Sequence, residues 1–153
     1  MKKKRSTIPA YPKGFEPVAE INVTVPKGVE PKRLRNMKPV ADLDWPSMGA
    51  GDAYMQFYVY SQSKYWLLYV YNADLAAADI ECGESGPLVG WQVVGYARKG
   101  KEDFRVAAAH LLLAFLKEEW MNFSDDTPVI VSAGISKGVI QAICDEVWGS
   151  RGR

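Results

Sequence analysis

Histidine is nearly absent from this chain, and so is cysteine. One His, His110, and two Cys, Cys82 and Cys144, are spread over 153 residues. A zinc site needs three or four His, Cys or acidic ligands at set spacing, and no such cluster occurs. Two cysteines far apart make no disulfide framework. Both are expected to be reduced and to pack as small hydrophobes, in a cytoplasmic protein. Long apolar runs are missing too. A membrane span needs roughly 18 apolar residues, and the longest stretch here, Val106–Leu116, is interrupted by His110. The basic N-terminus is not followed by an apolar segment, so no secretory signal is expected. Nor is there an excess of one charge, since the formal net charge is +1.

That small net charge conceals a split. Residues 1–40 carry ten Lys or Arg against three Glu, and residues 41–153 carry nine basic against fifteen acidic residues. Such a division points to a polyanionic partner at one end or a basic partner at the other. Lys2, Lys3, Lys4 and Arg5 form a block, and Lys32, Arg33 and Arg35 a second group. Both are suited to phosphate contacts, which supply affinity without reading sequence. Pro9, Pro12 and Pro17 disfavour helix and sheet nearby. Residues 1–17 are therefore expected to be a flexible, basic, proline-rich arm, ahead of one globular domain over 18–149.

Within that domain, "VAEINVTV" alternates apolar and polar residues and predicts a strand with one wet face. "PKRLRNMKP" (31–39) is bounded by prolines and has room for one helical turn, and "DWPSMGAGDA" (44–53) reads as a loop. The sequence then changes character. "YMQFYVYSQSKYWLLYVY" (54–71) holds eight aromatic residues, including six of the eight tyrosines. Aromatic and β-branched residues suit a pleated surface, and a hairpin over Tyr54–Tyr60 and Tyr65–Tyr71, turning at Ser61–Lys64, sorts them into two sets. Pairing Tyr60 with Tyr65 places Val59/Trp66, Phe57/Leu68 and Met55/Val70 on one face. The other face collects Tyr54, Tyr58, Tyr60, Tyr65, Tyr69 and Tyr71. The first set is core. The second is a candidate partner-binding surface, because tyrosine offers large contact area at little rotamer cost. A slip of one residue would mix the sets.

"NADLAAADIECG" (72–83) predicts a short helix stopped at Gly83. "LVGWQVVGYA" (88–97) predicts a strand in which Gly90 and Gly95 mark bulges or close backbone approach. Residues 103–120 predict a helix whose apolar arc is wide enough to be covered on several sides, with His110 on its polar stripe as a half-exposed residue. "VIVSA" (129–133) reads as a buried strand. A last helix starts at Ser136, carries the apolar stripe Val139, Ile140, Ile143, Cys144, Val147 and Trp148, and stops at Gly149. The sum is an α+β fold: a largely antiparallel sheet of four to five strands with two C-terminal helices on one face. The final β-α-β-α order leaves room for one parallel strand.

Catalytic residues are not identifiable. His110 could act as a base if a carboxylate oriented it, but no nucleophile is placed near it. Acidic residues come singly or in pairs, such as Asp42 with Asp44. The order strand, basic loop, long helix, strand, helix over residues 88–148 resembles the acyl-CoA-binding half of GNAT acetyltransferases. Their Arg/Gln-x-x-Gly-x-Gly/Ala loop cradles a pyrophosphate. The corresponding residues here are Arg98-Lys99-Gly100-Lys101-Glu102-Asp103, with glycine one place early and an acidic last position. That resemblance implies an acyltransferase. The other reading is a non-catalytic interaction protein without cofactor or metal, of the kind an inhibitor encoded on a mobile element would be. It would bind or inhibit a nucleic acid or a nucleic-acid-handling protein assembly through the basic arm and the tyrosine face, with homodimer formation open.

Overall fold

The computed structural model describes residues 18–19, 37–45, 53–62, 64–83, 89–119 and 127–148. The basic arm over 1–17, including Lys2, Lys3, Lys4 and Arg5, lies outside them, as do Lys32, Arg33 and Arg35 and all but the first two residues of the "VAEINVTV" segment.

Among the described residues, six strands form one sheet in which every pairing is antiparallel: β1 (Val18–Ala19), β2 (Met37–Trp45), β3 (Ala53–Gln62), β4 (Tyr65–Asn72), β5 (Trp91–Arg98) and β6 (Val129–Ala133). Their spatial order is β1-β5-β4-β3-β2-β6. The described residues also hold three helices: α1 (Ala73–Glu81) between β4 and β5, α2 (Phe104–Glu119) and α3 (Lys137–Trp148). This is the α+β arrangement that the alternation of patterns implied. Among the described strands no pair of neighbours is parallel: β5 and β6 run in the same direction but are separated by β4, β3 and β2.

The central hairpin keeps its two faces while changing its register. Gln62 pairs with Tyr65, Tyr60 with Leu67 and Phe57 with Val70, two residues away from the pairing that a Ser61–Lys64 turn dictates. A slip of two leaves every side chain on its original face, since strand side chains alternate with period 2. Met55, Phe57, Val59, Leu68 and Val70 therefore face α2 and α3, where they join Leu111, Leu112, Leu116, Ile140, Ile143 and Trp148 in the main core. Phe57 meets Phe115 with ring centroids 5.7 Å apart.

The strand over 37–45 is the element that the prolines hid. Pro39 lies in β2, which has a neighbour on each side, and proline cannot donate to a ladder. The strand accommodates it with a register shift between Pro39 and Ala41. Val40, the extra residue, is fully buried. Its carbonyl accepts the N–H groups of both Gly134 and Ile135, so the bulge also anchors the link from β6 to α3. Gly90 and Gly95 behave as their positions in the sequence suggest. Gly90 has φ +87°, and a Cβ there would come within 2.7 Å of the Ala76 Cβ. Gly95 borders the register shift between β4 and β5.

Helix α2 is buried around its whole circumference from Ala107 to Leu113. Asp103 caps it, accepting the Arg105 N–H at 2.6 Å, an arrangement worth about 1 kcal/mol. The lone histidine goes into the interior with the helix. His110 is 4% exposed, in place of the half-exposed residue that its polar stripe suggested. A helix apolar on nearly every side is enclosed on nearly every side, and that outweighs one polar stripe.

Two further expectations are corrected. Among the described strands β6 is at an edge, with Val129 and Val131 57% and 48% exposed, although its composition reads as buried. Cys82 is exposed beyond the end of α1 and only Cys144 is in the core. Burial pushes the Cys144 thiol up to about 12. A thiol-reactive dye at pH 8 is thus expected to label one cysteine in the native protein, Cys82. The second should become reactive only on unfolding, since the thiolate is the reactive form.

Candidate functional site

The sheet face opposite α2 and α3 carries all six tyrosines of the hairpin, together with Trp91 and Tyr96 of β5. Its middle is a second core. Leu67 is fully buried, Tyr69 and Tyr60 are 4% and 6% exposed, and Met37 and Val93 complete the cluster. Tyr58, Tyr65, Trp91 and Tyr96 pack around it, half-buried. The rings meet edge-on or tilted: Tyr58 and Tyr71 each lie 5.1 Å from Trp91, and Tyr65 lies 6.0 Å from Tyr96. Such pairs contribute about 0.5–1.5 kcal/mol each beyond the area they bury.

The six candidate tyrosines thus divide. Tyr60 and Tyr69 are interior. Tyr58, Tyr65 and Tyr71 are half-buried in ring contacts, and Tyr54 alone is exposed, at 41%. It stands where β3 pairs with β2, opposite Asp44. Its hydroxyl donates to Asp42 Oδ2 at 2.9 Å, and Gln56 Nε2 reaches the same oxygen at 3.4 Å. Asp42 and Asp44 alternate with Leu43, so both carboxylates lie on the tyrosine side while Leu43 fills the main core. The ion pairs among the described residues are Arg105–Asp103 and Lys117–Glu146. Among the described residues, neither Asp42 nor Asp44 is matched by a cation.

The result is a small acidic surface with an aromatic floor: Tyr54, Gln56, Asp42 and Asp44, with Tyr58 beside them. The bond to Asp42, then burial and the negative charge of Asp42, raise the Tyr54 phenol above its ordinary value of 10.0. Burial, then the charge of Asp42, raises Tyr58 as well. Replacing Asp42 with asparagine is expected to bring the Tyr54 titration back toward 10.0, because neutral asparagine stabilises the phenolate as readily as the phenol. Ultraviolet titration against a Tyr54→Phe control reads the shift.

The Arg98–Asp103 loop is committed to internal contacts. The Gly100 N–H donates to both oxygens of the Glu102 carboxylate, at 3.0 and 3.2 Å. Trp66 Nε1 donates to the same carboxylate at 2.8 Å, and the Lys99 ammonium sits 4.8 Å above the Trp66 ring. The loop amide that would cradle a pyrophosphate already holds an anion of the chain itself. Strands β5 and β6, which flank the long helix in sequence, are separated by three strands in the sheet.

Among the described residues, no group of three or more His, Cys, Asp or Glu could hold a metal ion, and no helix is long and apolar enough to cross a membrane. Sequence reasoning missed the pairing of Asp42 with Tyr54, because β2 itself was hidden by Pro39. The signal present was the alternation Asp42-Leu43-Asp44-Trp45, which has the period of a strand. No protein-family model, curated protein or solved structure matches this chain.

Proposed function

We propose that this chain is a non-catalytic binding protein that occupies a basic surface of a partner protein, of the kind that nucleic-acid-handling proteins carry. The contact surface is the open end of the tyrosine face: Tyr54, Gln56, Asp42 and Asp44. One observation carries the reading. Two carboxylates with no cationic partner among the described residues stand beside an exposed, hydrogen-bonded tyrosine on the sheet. A guanidinium or ammonium from a partner would meet charge, hydrogen-bond acceptors and a ring in one place. Occupying a surface made for phosphates is a route to inhibition, and electrostatic attraction speeds encounter. The interior position of Tyr60 and Tyr69 narrows the contact to this end of the face.

Direct nucleic-acid binding is assigned to the basic arm and not to this surface, where the carboxylates would repel phosphate. Titrating the full chain with a fluorescent arginine-rich peptide tests the assignment. Affinity should fall about tenfold or more in the Asp42→Asn/Asp44→Asn variant, as expected for loss of close charge pairs, while circular dichroism is unchanged. Affinity for a generic oligonucleotide should instead depend on residues 1–7 and fall steeply with salt. Equal peptide affinity in wild type and variant would overturn the proposal.

A further inference from the structure

Among the described residues the sheet ends at β6, and this edge is unlike an ordinary protected one. Edge strands usually carry charges that discourage pairing with another chain. Val129–Ala133 contains none, and two of its five residues are exposed valines. By register, Val129 and Ser132 lie on the side of Asp44 and Asp42, while Ile130 and Ala133 pack against the main core. Val131 is the extra residue at the shift between Ser132 and Ile130. Beside the strand runs an open groove of about 490 Å³, lined by Pro128, Val129, Ile130, Lys137, Gly138 and Gln141.

The helix at this edge has an ordered charge pattern. Lys137, Gln141 and Asp145 are exposed and spaced four residues apart, so they form one stripe along α3. The stripe is positive at its N-terminal end, neutral at its centre and negative at its C-terminal end, with Gln141 Nε2 donating to Asp145 Oδ1 at 3.0 Å. Turned end for end, it is its own complement: Lys137 meets Asp145, Gln141 meets Gln141, and Asp145 meets Lys137. A two-fold axis performs that operation, and it also places one β6 antiparallel to another.

We infer that the β6–α3 edge is a two-fold interface between copies of this chain. In it β6 pairs with β6 so that the sheet continues across the axis, exposed valines cluster at the centre, and Lys137 of each copy meets Asp145 of the other. The interface closes on itself, because pairing consumes the β6 edge of both copies. Both acidic tyrosine surfaces then lie on one continuous sheet face. The inference stands on different residues from the proposed function and does not depend on it.

Sedimentation velocity of the full chain, from about 1 to about 200 µM, tests it over the range of a modest self-association. The mass should rise from 17.0 kDa toward twice that value. Lys137→Asp and Asp145→Lys should each weaken the dimer about tenfold, since each sets like charges together twice. The variant with both reversals should recover to within about threefold of wild type. Val131→Lys should leave a monomer with unchanged circular dichroism. A monomer at every concentration would overturn the inference, even if β6 captured an extended peptide from another protein. So would a dimer in which the two reversals add their effects without recovery.

Discussion

Replacing Gly134 with alanine is expected to destabilise the protein by about 3 kcal/mol or more, among the largest effects of any single methyl group added to this chain. A Cβ at this position would overlap the Pro39 carbonyl group and come within 2.7 Å of the Pro39 Cβ. The backbone cannot move aside cheaply. Gly134 N–H donates to the Val40 carbonyl at 2.9 Å, and the next residue donates to the same oxygen. Pro39 in turn is fixed by the bulge that lets a proline sit in an inner strand. Urea denaturation should show a lower midpoint with an unchanged slope. Gly138→Ala is a suitable control, because a Cβ there would meet nothing closer than the Ser136 hydroxyl oxygen at 3.6 Å.

The second large effect separates tyrosines that look alike in the sequence. Tyr69→Ala should cost about 3–5 kcal/mol, the range for emptying an aromatic site in a core, because Tyr69 is 4% exposed beside fully buried Leu67. Tyr54→Ala should change stability by about 0.5 kcal/mol or less, as surface substitutions usually do. Thermal unfolding of the two variants side by side reads the difference. Similar losses at both positions would mean that the tyrosine face is a uniform core with no surface to offer a partner.

The hairpin shows why much of the fold was legible and part of it was not. Its two faces were readable because Met55, Phe57, Val59, Leu68 and Val70 occupy alternate positions, and period 2 survives a register error of two. The turn was less legible, because Ser61 and Gln62 suit a loop and a strand end equally. β2 was hidden by a local rule: Pro39 speaks against an inner strand, and only tertiary contacts around Val40 and Gly134 reveal the bulge that accommodates it. β6 was misread for a different reason. An apolar run such as Val129-Ile130-Val131 suits a buried strand and an unshielded edge alike, and only sheet order distinguishes them. The polar stripe of α2 suggests a half-exposed His110, but the apolar surroundings of Ala107–Leu113 enclose it.

The candidate site was legible in its ring content and illegible in its limits. The sequence marks six tyrosines as one surface. Which of them reach solvent depends on what each strand neighbours, and that places Tyr54 at the margin with Asp42 and Tyr69 in the middle with Val93. The acidic half of the site comes from a strand the prolines concealed. Asp42 and Asp44 belong to the acidic stretch after residue 40.

The most direct measurement is affinity capture from cells of the native source, with immobilised wild-type chain and the Tyr54→Ala/Asp42→Asn variant compared by quantitative mass spectrometry. The account predicts a protein partner with a basic surface that is retained by the wild type, lost at high salt, and reduced at least tenfold on the equally folded variant. A partner captured equally by both would contradict it.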